Sequence, residues 1–248
     1  MRAAISVVVV SLLASTAFAD DPKAASGAPW DKSGIKDWTK APPPTKEPQF
    51  KPPAPKRSKL KNGMSLLLVE NHALPIVSMA LVIPGAGAAV DPAAKPGLAS
   101  FTADLLDEGA GDLSAIQIAE EQDRLGATIR AYADIDTAGV SISTLTKTLD
   151  ATLDLVGKIV TQPKFDQKEF DRVKGDRMTS LELRRDRPRE VAAIMLGGAL
   201  YGADSAYGHP ASGARETFKD IAVADAQTFY KEHWNPAVMT LIVAGDFD

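Results

Sequence analysis

The chain has 248 residues, 45% apolar and 24% charged, with a formal net charge of −4. That is the balance of a globular protein long enough for one or two domains, and its mixed charge signs leave no basic footprint for nucleic acid. It contains no cysteine, which excludes disulfides, thiolate metal sites, cysteine nucleophiles and a lipid anchor on cysteine.

Residues 1–19 are predicted to be a signal peptide. Arg2 supplies the positive charge, residues 3–14 are apolar apart from Ser6 and Ser11, and Ala17-Phe18-Ala19 is a small-x-small cleavage pattern. The run is too short to span a bilayer, which takes about 20 apolar residues. The mature protein is expected to start at Asp20 and to be periplasmic or secreted. Residues 20–56 form a Pro-rich arm or linker. Its Pro42-Pro43-Pro44 and Pro52-Pro53-Ala54-Pro55 stretches favour extended polyproline conformation. Trp30, Trp38 and Phe50 interrupt its polarity, either because the arm docks on the domain or a partner, or as incidental aromatics.

Residues 57–248 read as the folded domain. Asn62-Gly63 signals a type I′ turn between two short strands. Residues 64–69 and 76–83 are strand-like, and Pro84-Gly85-Ala86-Gly87 closes the second as a loop. A helix follows Pro96-Gly97, with Leu98, Phe101, Leu105 and Leu106 on one face and Gly109 as its stop. Ser114 is the predicted N-cap of a helix reaching Leu125. Residues 127–133 and 138–145 alternate as strands. Two helical stripes come next: Leu149, Leu153, Val156, Val160, and then Phe170, Val173, Met178, Leu181. The run Arg184-Arg185-Asp186-Arg187 is expected to be a solvated helix end. Pro188 opens a helix reaching Leu200, residues 222–233 form a last helix, and residues 238–244 form a closing strand. Strand hairpins with helices grouped between them predict an α+β fold, a mainly antiparallel sheet with helices packed on one face.

Several ordered landmarks carry a resemblance. They are Asn62-Gly63 followed by Val69-Glu70-Asn71; Gly85-Ala86-Gly87; Gly97-Leu98-Ala99 running to Leu105-Leu106-Asp107-Glu108-Gly109-Ala110; and Tyr207-Gly208-His209-Pro210 with Gly213. The most specific comes last, Phe229-Tyr230-Lys231-Glu232-His233-Trp234-Asn235-Pro236 leading into Leu241-Ile242-Val243-Ala244-Gly245-Asp246. In this order they resemble the pitrilysin/insulinase-type metallopeptidases, the inverted zincins, over nearly all of residues 60–248. The resemblance implies the fold of the mitochondrial processing peptidase, with residues 57–248 as the first domain of a tandem pair. No internal repeat is seen, so the chain is expected to be a fragment of a longer protein, or else a single-domain relative.

The family helix carries His-x-x-Glu-His, two zinc-binding histidines and a glutamate that activates water. The matching slots here hold Ser100, Ala103 and Asp104. A serine is a poor zinc ligand, one aspartate cannot hold the metal, and alanine cannot serve as the base. The family's third ligand, a glutamate on a later helix, falls near Ser180 or Leu181. Glu182 is one or two positions out of register and turned off that face. Ser100 and Asp104 are expected to be a hydrated remnant, and Asp107 and Glu108 to cap or solvate the helix end. His72, His209 and His233 have no second histidine at metal spacing.

The resemblance therefore implies a non-catalytic subunit, or its N-terminal domain, with no catalytic residue, metal or cofactor of its own. Zinc is expected only in a catalytically intact homologue with which it pairs as a heterodimer, the two together binding extended peptides. Alternatives are a divergent active metallopeptidase with rearranged ligands and a non-enzymatic scaffold subunit.

Overall fold

In the computed structural model, which describes residues 52–202 and 205–248, strand β3 (Ile76–Pro84) sets the layer order. Val77, Met79, Leu81 and Ile83 are all buried, whereas Ser78 between them is exposed. Period-two burial puts one face of the sheet against helices and leaves the other open. Strand β7 (Thr137–Leu145) repeats the pattern, with Val140, Ile142 and Thr144 buried and Ser141 and Ser143 exposed. The predicted signal peptide and most of the predicted arm lie outside the described residues.

The main sheet has six strands in the order β1-β2-β8-β3-β7-β6. Here β1 is Lys56–Lys59, β2 Ser65–Glu70, β6 Thr128–Ala133 and β8 Thr240–Gly245. Every neighbouring pair is antiparallel except β2 with β8, which run parallel from Ser65 opposite Thr240 to Glu70 opposite Gly245. The closing strand thus inserts between β2 and β3. Its unbroken Leu241-Ile242-Val243-Ala244 run suits a strand hydrogen-bonded on both sides. A two-stranded ladder, β4 (Gly109–Ala110) and β5 (Leu113–Ser114), lies outside the main sheet.

The covering helices are α1 (Leu98–Asp104), α2 (Ala115–Leu125), α3 (Leu149–Thr161), α4 (Gln167–Leu183), α5 (Pro188–Tyr201), α6 (Arg215–Phe218) and α7 (Val223–His233). Ser114 caps α2 through a capping box with Gln117, as its sequence predicts. Pro188 sits in the first turn of α5. The core centres on Phe101 of α1, which meets the Phe218 ring edge-on at 4.8 Å and the Phe170 ring at 5.3 Å. All three rings are buried, so α1, α4 and α6 share one aromatic contact.

The expected α+β fold with helices on one face is the observed one, and three local expectations are corrected. The β1–β2 hairpin has no type I′ turn: Gly63 has φ 91° but Asn62 does not have the positive φ that such a turn requires. Five residues, 60–64, connect the strands instead, with Gly63 N–H bonded to Leu60 O at 3.0 Å. Helix α1 ends at Asp104, before Gly109, because Leu105 and Leu106 turn into the core. Arg184 is not solvated; only 15% of its side chain is exposed, and it bonds Glu190, Ser212 and the Gly213 carbonyl. In the second stripe Phe170, Val173 and Leu181 are buried and Met178 packs half-buried against the core, while Arg177 stands at the four-residue spacing between Val173 and Leu181.

Phe101→Ala is expected to cost about 3–5 kcal/mol, the usual penalty for emptying a well-packed aromatic site. Urea denaturation, read by far-UV circular dichroism, measures it.

Candidate functional site

Helix α1 starts at a sharp corner. Gly97 has φ 97°, and a Cβ on it would lie 2.9 Å from Gly213 Cα, while one on Gly213 would lie 2.3 Å from Pro96 O. The two glycines let the helix start press against the loop before α6. The Asp91 carboxylate accepts the N–H groups of Gly97 and Ala99, each at 2.7 Å, which satisfies donors at the helix start. Burial pushes this carboxyl up to about 6, against the pull of those bonds.

The three slot residues then project from α1 in different directions. Ala103 is fully buried in the core. Ser100 is buried, and its hydroxyl donates to Gly97 O at 3.2 Å. Asp104 is partly exposed and is held in an ion pair by Arg177 Nη2. Arg177 Nη1 also lies 3.3 Å from Ser100 Oγ and 3.4 Å from Ser212 O. The guanidinium sits over the Phe218 ring at 5.8 Å and is 15% exposed. One arginine on α4 therefore engages both surviving polar slots, the loop before α6 and the aromatic core.

Ser100 is therefore buried rather than hydrated, and Asp104, though partly exposed, is paired rather than free. The polar groups of the two ligand slots are taken by a fixed cation, and a zinc ion there would meet a guanidinium. Zinc does not fit this set. Ser180 and Glu182 are exposed and Leu181 is buried in the core, so none of the positions considered for a third ligand reaches the pair. Among the described residues, no three His, Asp or Glu side chains are grouped so as to hold a metal. His72 pairs with Asp246 at 2.7 Å, His209 lies in a loop, and His233 stacks on Phe229 at 4.4 Å. The signal for Arg177 is in the sequence: a lone arginine at the four-residue spacing Val173–Arg177–Leu181 on an otherwise apolar stripe.

Beyond Asp104 the surface opens into a cleft of about 360 Å³ lined by Asp104, Asp107, Glu108, Arg130, Arg172 and Asp176, with Ala131 and Val173. Arg172 pairs with Glu108, Glu169 and Asp176, so Glu108 bridges to α4 rather than capping α1. Asp107 has no such partner. Burial, helped by the charges of Glu108 and Asp104, pushes its carboxyl up to about 6.

The far wall of the cleft is β6, which forms an edge of the sheet. Ile129 N–H turns away from β7 to Gln122 Oε1 at 2.8 Å. By the alternation of an antiparallel ladder, the backbone groups of Ala131 and Ala133 face the same open side. The opposite edge, β1, carries Lys56, Arg57 and Lys59 along its four residues, a charged guard against strand addition. Strand β6 has one charge, Arg130, and Arg130 and Ala131 line the cleft.

The sequence pattern of Insulinase (Peptidase family M16) matches residues 66–204. An uncharacterized zinc protease of Bacillus subtilis, YmxG, is 24% identical over 191 residues, covering 77% of this chain and 46% of the relative. Among solved structures, a peptidase M16 inactive domain from Pseudomonas fluorescens superposes with a TM-score of 0.73 at 26% identity. It covers 78% of this chain and 47% of that one. The periplasmic protease PqqL from Escherichia coli shares the fold, with a TM-score of 0.70 at 19% identity over 84% of this chain and 23% of its own. The chain spans less than half the length of each of these relatives.

Two outcomes are expected of this site. Arg177→Ala should cost about 1–3 kcal/mol, and the double variant with Asp104→Ala should cost less than the sum of the two singles, as for a directly coupled pair; a denaturation cycle measures both. The second concerns pH. The Asp107 carboxyl is raised from its unfolded value of about 4, so the stability it contributes is full below about pH 4 and is lost as pH rises through about 6. Asp91 titrates in the same window. The difference between wild type and Asp107→Asn isolates Asp107, and the variant should be the more stable at neutral pH by about 1–2 kcal/mol.

Proposed function

We propose a function from one premise: this chain belongs to the insulinase family of peptidases, family M16. It acts as a non-catalytic, peptide-holding subunit, or as the N-terminal domain of one, in a periplasmic peptidase whose chemistry resides in a catalytically intact homologue. The observation that carries this reading is the Arg177 pair. The positions that would bring metal and base to a substrate hold a serine and an aspartate facing an arginine, and an alanine sealed in the core.

The open β6 edge beside the cleft supports a role in holding peptide. A substrate segment entering the cleft could pair with the open backbone groups of Ala131 and Ala133 as an added strand, which needs no metal. The mixed charges of Arg130, Asp107 and Asp176 would flank such a strand. The inactive domain of Pseudomonas fluorescens is a precedent for a non-catalytic member of this family, and the periplasmic protease PqqL supports the compartment. The rest of a longer subunit would cover the open face of the sheet, and the intact homologue would close the chamber.

The test combines binding and turnover. A fluorescein-labelled unstructured casein peptide should bind the purified chain, survive intact, and bind equally well with and without a chelator. Ala131→Pro, which removes one outward N–H from the edge, should weaken binding by about tenfold, because an edge proline blocks strand addition. Adding the intact homologue should yield a stable complex that cleaves the peptide. Chelator-sensitive cleavage by the chain alone would overturn the reading.

A further inference from the structure

Helix α5 presents its bulkier apolar side to solvent. Ala192, Met195, Leu196, Ala199 and Leu200 are exposed, whereas Val191, Ile194, Gly197 and Gly198 are half-buried. The glycines mark the inner side: a Cβ on Gly197 would lie 3.2 Å from Tyr207 O, and one on Gly198 would lie 3.5 Å from Gly208 O. On the outer side Met195, Leu196 and Leu200 are each more than half exposed. No charged residue occurs from Val191 to Gly202. A surface helix ordinarily turns its apolar stripe to the core and its charges to water. A contiguous apolar patch on the outside marks an interface.

The outward residues follow a pattern that reads the same from either end. Ala192 and Ala199 flank the bulky Met195–Leu196 pair, symmetrically about the point between residues 195 and 196. With two copies of α5 antiparallel about that point, Ala192 of each faces Ala199 of the other, and Met195 of each faces Leu196. The alanines let the helix axes approach to about 8 Å. A two-fold interface requires this pattern, residue i meeting j while j meets i. Charge follows the same rule. Arg189 is exposed and begins the stripe at the helical spacing 189–192–196–199. In the antiparallel pair it reaches the carbonyl end of the other copy's α5, whose last turn has no basic residue. A helix C-terminus favours a cation there. The helix's one acid, Glu190, is already held by Arg184 at 2.8 Å and Arg187 at 3.5 Å.

We propose that the outer face of α5 docks on the same face of a second copy of this chain, in an antiparallel two-fold contact centred between Met195 and Leu196. A specific interface buries about 1,200 Å² or more in total, about 600 Å² from each partner. Met195, Leu196, Leu200 and the neighbouring Tyr201, each more than half exposed, supply an area at that lower end. Association in the micromolar range is therefore expected. None of these residues lines the cleft beside β6, and the proposal does not rest on the peptide-holding reading.

The absence of cysteine makes a cross-linking test direct. Ala192→Cys and Ala199→Cys are made separately in the full chain, then oxidised alone and as a mixture. The mixture should give a disulfide-linked dimer, and each variant alone should link several-fold less. In this register the two copies of residue 192 stand about 10 Å apart along the axis, beyond the reach of a disulfide. Sedimentation equilibrium of the wild type should show a concentration-dependent dimer. Leu196→Glu should weaken it about tenfold or more, with an unchanged far-UV circular dichroism spectrum. Should that variant disturb the helix, Arg189→Glu, at the exposed rim, should weaken the dimer in the same direction. A wild type that stays monomeric up to about 100 µM would overturn the proposal. So would single variants that link as well as the mixture, or a dimer indifferent to both glutamate substitutions. A monomer that instead uses Leu196 to bind anionic vesicles or the catalytically intact homologue would assign the face to that occupant and overturn the self-contact.

Discussion

The Arg177 guanidinium is the constraint around which the rest of this site is arranged. An arginine keeps its charge in any protein environment, so a largely buried one must find anionic and carbonyl partners or destabilise the fold. Here it finds Asp104 and Ser100 on α1 and Ser212 before α6, and it rests on Phe218. Two segments far apart in sequence, α1 and residues 212–218, are thereby tied to α4. Arg184, about two turns further along, ties the same loop through Ser212 Oγ and Gly213 O. The carboxylate on α1 is thus a structural anion, and its neighbours are arranged for cohesion.

That arrangement explains how the frame of a metallopeptidase helix persists without its ligands. The start of α1 is held by Asp91 and by the Gly97–Gly213 contact, and its middle by the Phe101 cluster. None of these depends on residues 100, 103 or 104 binding anything. The ligand slots could change while the helix kept its place, provided the replacements satisfied one another. A serine and an aspartate facing an arginine do so; two histidines facing that arginine would offer it no negative charge.

The fold was legible because its main elements are written in local patterns. Alternation marks β3 and β7, the Ser114 cap marks the start of α2, and the unbroken apolar run marks β8. The landmarks Gly97 and Gly213, two unrelated punctuation marks in the sequence, turn out to be one backbone contact. What stayed hidden depends on long-range juxtaposition. Nothing local to Asp104 announces a partner 73 residues away, and the arginine that supplies it looks like a surface charge until its place on the Phe170–Val173–Leu181 stripe is counted. The raised carboxyl of Asp107 has the same origin, since its burial is made by tertiary packing rather than by its neighbours in sequence. The Asn62-Gly63 turn was misread for the opposite reason: a dipeptide preference was overridden by the five-residue span between β1 and β2.

The two sheet edges and the two sheet faces divide the molecule's surfaces by chemistry. The β1 edge is charged and the β6 edge is nearly neutral, so the edge on the side bearing the cleft is the less guarded against strand addition. The covered face carries the large apolar residues. The open face carries the small residues Ser78, Ala80, Ser141 and Ser143 together with the exposed Ile76 and Ile242. Helix α5 differs from both: Met195, Leu196, Leu200 and Tyr201 are each more than half exposed, and none of its residues is buried. A helix with no buried residue gains little from its own propensity and is ordinarily stabilised by packing an apolar face. In the reading proposed above, the rest of a longer subunit would cover the open sheet face, and packing of that kind is what an apolar helix face such as that of α5 ordinarily needs.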